Sequence, residues 1–232
     1  MSKPVCVVVG VGPGNGGAFA ERFAAEGYRV ALLARSTEFG TELASKLDDA
    51  KAYACDVSDP EAIKRAFAAI RADMGEVDVL LYNAGSGVFG PLDKITDAQF
   101  ELAWRINTLG LLQCTREVVD AMKKRGSGSI LITGATASLR GKPFTTAFAS
   151  AKAAQRSLAQ SLARTYWPDG IHVALVIVDG VVDLPRTRAS SDKPDEAFLK
   201  PADLALTMYH LATQPKSAWS FEVEARPHVE SW

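Results

Sequence analysis

The chain has 232 residues, of which 47% are hydrophobic, and this length and composition are typical of one large α/β domain with a full core. Its formal net charge is −1 and it has no basic tract, which disfavours nucleic-acid binding. The three cysteines are scattered without a Cys-x-x-Cys pair, and the three histidines form no cluster. We therefore expect reduced core thiols, no metal site and a cytoplasmic protein, with neither a signal peptide nor a membrane-spanning segment.

Apolar, β-branched runs alternate with helical patterns along the whole chain. Strands are predicted over 5–9, 29–34, 51–54, 77–81, 129–133, 171–178 and 220–224, and helices over 15–27, 37–47, 59–74, 96–125, 147–167 and 201–213. Asp59 and Thr96 are suitable caps for helix starts, and Gly75 and Gly126 for helix ends. The alternation predicts right-handed βαβ units in a single α/β domain over 1–232, with helices on both faces of a doubly wound parallel sheet.

A glycine-rich turn follows the first strand. Gly10, Gly14 and Gly16 lie between the apolar run Val5–Val9 and a helical pattern. Glycines allow the backbone to approach a pyrophosphate, which the N-terminus of the following helix then binds. Glycine also makes ordinary turns, but a strand before it and a helix after it favour a nucleotide-binding turn.

Two further motifs follow later strands. Asp56 and Val57 come after the third strand, and Asn83-Ala84-Gly85 comes after the fourth. With the glycine turn, their order and spacing resemble the short-chain dehydrogenase/reductase family along nearly the full chain. In that family the aspartate caps the adenine ring, and Asn-Ala-Gly supports the sheet and lines the cofactor cleft. Taken alone, Asp56 is equally typical of a residue preceding a helix, and Asn83 of a turn cap.

The resemblance implies a Rossmann-type sheet of about seven strands in the order 3-2-1-4-5-6-7, a nicotinamide cofactor and a small-molecule substrate. Asn107 and Lys152 fall where the family has its catalytic asparagine and lysine. The family's lysine also holds the nicotinamide ribose, although an isolated lysine is usually a solvated surface residue. Asn15 in the glycine turn and Gly180 after the sixth strand are assigned to the cofactor on the same basis.

The end of the second strand bears on the choice of cofactor. Proteins that prefer NAD place an acidic residue there to accept a hydrogen bond from the ribose 2′-hydroxyl. This chain has Ala34 at that position, followed by Arg35 and Ser36. A guanidinium group binds a 2′-phosphate through paired hydrogen bonds, so NADP(H) is favoured, with NAD(H) as the alternative. Arg35 has a competing role as the surface partner of Glu38.

The catalytic centre departs from the family pattern. The family uses a tyrosine four residues before the lysine and a serine thirteen residues before that tyrosine. Here Phe148 and Ala135 occupy those two positions, and Thr136 and Ser138 carry the nearest alternative hydroxyls. Lys152 remains, but phenylalanine has no proton to give.

Two functions fit this pattern. The first is an NADP(H)-dependent oxidoreductase with a non-standard active centre, and the second is a non-catalytic NADP(H)-binding sensor or regulatory protein. Asp179 and Leu184, which replace the family's proline and threonine, bring the nicotinamide end of the site into question. The polar segment 183–199 is interpreted as a substrate loop, with an ordinary solvated loop as the alternative.

The family pairs two long helices between subunits, which implies a homodimer or homotetramer through helices 96–125 and 147–167. Their candidate contact residues are mainly apolar: Leu109, Leu111, Leu112, Val118, Ala154, Leu158, Ser161, Leu162 and Thr165. Packing within the subunit explains part of the same pattern.

Overall fold

The computed structural model describes residues 3–230. Its strands are β1 (Val5–Val9), β2 (Arg29–Ala34), β3 (Ala50–Ala54), β4 (Val79–Tyr82), β5 (Gly128–Thr133), β6 (Ile171–Val178), β7 (Val181–Val182), β8 (Phe198–Leu199) and β9 (Glu222–Ala225). Its α-helices are α1 (Asn15–Ala25), α2 (Glu38–Ala44), α3 (Pro60–Met74), α4 (Asp97–Trp104), α5 (Gly110–Arg125), α6 (Thr146–Tyr166), α7 (Pro185–Arg188) and α8 (Pro201–Ala212).

Seven strands form one parallel sheet in the order β3-β2-β1-β4-β5-β6-β9. This confirms the predicted order, since β9 is the seventh strand of that sheet. The chain crosses from β3 at one edge to β4 beside β1, and such a reversal opens a crevice at the carboxyl ends of the strands. The predicted site residues lie in the loops that leave those ends.

The sheet is covered on both faces because its strands alternate their side chains. Val7 and Val9 of β1 belong to the apolar layer beneath α3, α5 and α6, whereas Cys6 and Val8 belong to the layer beneath α1, α2 and α8.

All three cysteines are buried and free, as expected. Burial raises the pKa of the Cys6 and Cys114 thiols well above the ordinary value, so these groups are inert core residues.

The predicted caps form at the expected places. The Asp59 side chain accepts from the Glu61 N–H at 2.9 Å, and Thr96 and Gln99 complete a reciprocal capping box at the start of α4. Gly126 ends α5 in the left-handed conformation. The predicted helix 96–125 is not uniform, however, because a π-helical turn over Arg105–Leu109 separates α4 from α5.

Three residues of the predicted subunit-contact face were wrongly placed. Leu111, Val118 and Leu162 are buried in the core of the single subunit. They face the sheet, because the same helical periodicity that makes a contact face also makes a core face.

Among residues 3–230, no helix is long and apolar enough to cross a membrane, and no cluster of three or more potential ligand side chains is placed to hold a metal ion.

Candidate active site

The glycine turn is tightly built around backbone contacts. Gly10 has φ 90°, and a Cβ there would lie 2.5 Å from the backbone nitrogen of Ala84. A Cβ on Gly16 would lie 2.4 Å from the carbonyl oxygen of Gly10, so α1 approaches β1 as closely as backbone atoms allow. The side-chain amide of Asn83 donates to the same carbonyl at 2.8 Å. The predicted Asn83-Ala84-Gly85 motif therefore supports the glycine turn directly.

A cleft of about 500 Å³ opens beside this turn at the carboxyl edge of the sheet. Its lining brings together most residues predicted for the adenosine half of a dinucleotide: Gly10, Arg35, Asp56, Val57, Asn83, Ala84 and Gly85. Asp56 accepts from the backbone N–H of Ser58 at 2.9 Å and from its hydroxyl at 2.7 Å. The backbone hydrogen bond is the main cause that lowers the pKa of this carboxyl.

Arg35 is exposed at the mouth of the cleft, and Ser36 next to it is exposed as well. Within residues 3–230, Arg35 is in no ion pair, so the competing role as partner of Glu38 is not realised. Its guanidinium donors are available to an anionic ligand. The positive charge of Arg35 also contributes to the lowered pKa of Asp56 across the cleft.

The π-helical turn positions Asn107. The side-chain amide of this fully buried residue donates to the Ala103 carbonyl at 2.8 Å, while its Oδ1 has no hydrogen-bond partner within the described residues. A Cβ placed on Gly85 would lie 3.5 Å from that oxygen and 3.9 Å from the Lys152 Nζ. The two retained catalytic candidates thus converge beside Gly85, and π-turns are often found where a helix presents a functional group.

Gln155 joins these two residues and was not predicted from the sequence. Lys152 Nζ donates to the Thr133 carbonyl at 2.8 Å and to Gln155 Oε1 at 3.0 Å. Gln155 Nε2 in turn donates to the backbone carbonyl of Asn107 at 2.8 Å. The sequence feature that could have identified Gln155 is its position three residues after Lys152, which places both side chains on one face of α6. Burial of Lys152 lowers the pKa of its ammonium group to about 7.

Phe148 lies one helical turn before Lys152 and is half-buried. The Lys152 Nζ is 6.0 Å from the centroid of its ring, and the Phe89 ring centroid is 5.0 Å away. Of the two alternative hydroxyls, Thr136 donates to the Asp179 carboxylate, whereas the Ser138 oxygen accepts from the Ala135 N–H at 3.2 Å. No tyrosine hydroxyl contacts Lys152 among the described residues.

Asp179, after β6, organises a charged cluster that sequence reasoning missed. Its carboxylate accepts from Thr136 and Arg226, and Arg140 lies 3.7 Å away. Burial opposes ionisation of this carboxyl, but the hydroxyl and the two guanidinium groups outweigh it and lower its pKa. The neighbouring Gly180 is closely covered, because a Cβ there would lie 2.7 Å from Pro227 Cδ. The contacts of Gly180 are thus to the chain's own C-terminal segment.

Contacts at its ends and within it hold segment 183–199 together. Strand β7, directly before the segment, pairs in parallel with β8 at its end. Arg188 forms ion pairs with both Asp183 and Asp195 and lies 3.9 Å from the ring centroid of Phe198. Leu184 leans over the glycine turn, since a Cβ on Gly14 would lie 2.6 Å from Leu184 Cδ2. An apolar side chain therefore covers the turn where the family has a threonine.

The residues present fit a dinucleotide at the adenosine end. Turn glycines without room for a side chain and the exposed Arg35 are features that a bound ligand would complete. Within residues 3–230, the buried side-chain oxygen of Asn15 also has no hydrogen-bond partner. Asn15 and Gly16 lie at the start of α1, as predicted for a pyrophosphate site.

Comparison with known proteins agrees with this architecture. The model of the short chain dehydrogenase family matches residues 4–195. An oxidoreductase of Sarocladium schorii is 32% identical over 174 residues, which cover 75% of this chain and 70% of that protein. An alcohol dehydrogenase from Thermococcus sibiricus, crystallised with 5-hydroxy-NADP, has a TM-score of 0.89 and 28% identity, with 99% of each chain covered.

A metagenomic short-chain oxidoreductase crystallised with NADP has a TM-score of 0.86 and 27% identity, and the similarity covers 99% of each chain. The family model spans most of this chain, and the sheet order and the cleft are those that the resemblance implied. The chain belongs to the short-chain dehydrogenase/reductase family.

Proposed function

We propose that the chain is an NADP(H)-dependent oxidoreductase whose active centre works without a tyrosine proton donor. The buried network of Asn107, Gln155 and Lys152 is the observation that carries this proposal. A fully desolvated lysine and an unpartnered amide oxygen are costly to keep in a protein interior. Their convergence beside Gly85, at the carboxyl edge of the sheet, supports a ligand that meets them there.

The preference for NADP(H) over NAD(H) rests on the end of β2. Arg35 is exposed at the cleft and has no acidic neighbour at position 34, so a 2′-phosphate would gain charge-assisted hydrogen bonds without breaking an ion pair. The similar structures that hold NADP are consistent with this choice. Asp56 and Val57 would border the adenine, and Gly10, Gly14 and Gly16 the pyrophosphate.

Hydride transfer is the chemistry that the bound nicotinamide supplies, and the protein contributes orientation and charge. Lys152 would hold the nicotinamide ribose by its ammonium or amine, and Asn107 would present its free Oδ1 to a water or a ribose hydroxyl. Phe148 and Ala135 provide no donor for a substrate oxygen. The loss of a positioned acid costs roughly 10²- to 10⁴-fold in rate, so ordinary ketones should be poor substrates.

The test separates this proposal from the non-catalytic alternative. NADPH and NADH binding are measured by fluorescence quenching, and turnover is measured with a panel of ketones, quinones, activated alkenes and imines. We expect tighter binding of NADPH and turnover with at least one class that needs no tyrosine proton, reduced by Lys152→Ala. Tight NADPH binding without turnover of any class would support a sensor and contradict the enzyme.

Four further properties belong to the same proposal. The chain would form a single domain over 1–232, and segment 183–199 would contact the substrate. Subunits would pair as a homodimer or homotetramer through helices 96–125 and 147–167, with Leu109, Leu112 and Leu158 among the contacts. A cytoplasmic location agrees with the buried, unpaired thiols. Size measurement in solution tests the assembly.

A further inference from the structure

Two phenylalanines beside Lys152, Phe89 and Phe148, define an aromatic mouth next to the candidate active site. Phe89 and Phe148 are in ring contact, with centroids 5.0 Å apart. The backbone of Gly90 donates to the Phe144 carbonyl at 2.8 Å, which ties the loop after β4 to the start of α6. Phe89 is 57% exposed, which is unusual for such a large apolar side chain.

A carbonyl substrate gains little from this arrangement. Its oxygen becomes negatively charged as hydride adds, and catalysis then requires donors aimed at that oxygen. Phe148 and Ala135 have no polar side-chain atom, and the Thr136 hydroxyl donates to Asp179 instead. The Ser138 oxygen accepts from the Ala135 N–H. A developing oxyanion would therefore lie against an aromatic ring without a side-chain donor from Phe148, Ala135 or Thr136.

An iminium ion has the opposite requirement. Its carbon accepts a hydride with the bonding electron pair, and the electrons of the C=N π bond become the nitrogen lone pair. NADPH is oxidised to NADP⁺, the cation is reduced to a neutral amine, and no proton is transferred. The substrate loses charge, so no oxyanion donor is needed, and the faces of aromatic rings attract the cation before it reacts.

We propose that the aromatic mouth is a binding site for a cyclic iminium cation, which the enzyme reduces to the amine. This inference rests on the proposed oxidoreductase function and names the substrate class for the same site. The Lys152 Nζ lies 6.0 Å from the Phe148 centroid and donates to the Thr133 carbonyl and Gln155. Its buried amine is largely neutral above pH 7, which limits its repulsion of a bound cation.

The experiment compares two bicyclic substrates of similar size. N-methyl-3,4-dihydroisoquinolinium is a permanent cation that needs no proton, and 1-tetralone is a neutral ketone. We expect NADPH-dependent formation of N-methyltetrahydroisoquinoline with a kcat/KM roughly 10²-fold or more above that for 1-tetralone, the factor that a missing acid would cost the ketone. Equal kcat/KM values would overturn the cation site while leaving the proposed oxidoreductase in place.

A binding measurement provides a readout that does not depend on turnover. N,N-dimethyltetrahydroisoquinolinium cannot be reduced, and its Kd is measured by calorimetry on the protein with NADPH. Phe89→Leu and Phe148→Leu keep an apolar side chain but remove the π face, and each should raise the Kd roughly threefold to thirtyfold. Phe221→Leu, directly before β9, is the matched control and should leave the Kd unchanged.

The outcomes separate the two proposals. An unchanged Kd in both Phe89→Leu and Phe148→Leu would overturn the cation site. Binding of the ammonium ion that Phe89→Leu and Phe148→Leu weaken, without reduction of any substrate, would overturn the oxidoreductase and support the cation site.

Discussion

Lys152 should make the stability of the protein depend on pH in a defined window. Its ammonium group is fully buried, and burial lowers its pKa from the ordinary 10.5 to about 7 in the folded chain. Between those two values the unfolded chain binds a proton that the folded chain does not. The free energy of unfolding therefore rises with pH across this window, and below it both states are protonated and the penalty is constant.

The magnitude follows from the same pKa. Each pH unit in which only the unfolded chain is protonated contributes about 1.4 kcal/mol. Since the folded-state pKa is about 7, the rise attributable to Lys152 between pH 6 and pH 9 is roughly 2–3 kcal/mol.

Urea unfolding of the cofactor-free protein at several pH values measures this rise. Lys152→Met removes the titrating group and should flatten the curve by that amount, whatever its effect on absolute stability. Lys124→Met, which removes an exposed lysine on α5, should leave the pH dependence unchanged. Parallel curves for the natural chain and Lys152→Met would show that Lys152 titrates as in the unfolded chain, and would refute the buried, neutral lysine.

Arg35→Glu and Gly14→Val test the cofactor cleft by titration with NADPH and NADH, and Gly10→Ala tests the packing of the glycine turn. Arg35→Glu should weaken NADPH binding by roughly 1.5–3 kcal/mol and NADH binding far less; equal losses would contradict the 2′-phosphate role. Gly14→Val places a branched side chain against Leu184 and should abolish binding of both nucleotides with the fold retained; normal NADPH affinity would assign the turn another role. Gly10→Ala, whose Cβ would meet Ala84 backbone at 2.5 Å, should lower the urea midpoint itself, and an unchanged midpoint would contradict that packing.

The sequence predicted the sheet order and the residues that meet at the cleft because both depend on local patterns. A buried strand, three glycines and a helix define the phosphate turn over Val5–Ala25, and Asp56 and Asn83 follow their strands directly. The strand and helix ends shifted by up to a few residues, as in β4, which begins at Val79 rather than at residue 77. Terminal residues have weaker patterns than element interiors.

Tertiary contacts determine what the sequence did not predict. Gln155 bridges Lys152 to a backbone carbonyl 48 residues away, and Arg226, directly after β9, reaches Asp179 at the end of β6. Neither of these two long-range contacts can be identified from local spacing. The π-helical turn at Arg105–Leu109 also left no periodicity signal, since it adds only one residue to an otherwise regular helix.

The double substitution Phe148→Tyr with Ala135→Ser tests the central claim most directly. It returns the two missing hydroxyls beside a lysine and an asparagine that the chain already holds in place. The ammonium form of Lys152 can lower the pKa of the new tyrosine, so NADPH-dependent reduction of simple ketones near pH 7 should rise above the weak or absent activity of the natural chain. Vigorous ketone reduction by the natural chain, unaffected by Lys152→Ala and Asn107→Ala, would contradict the account.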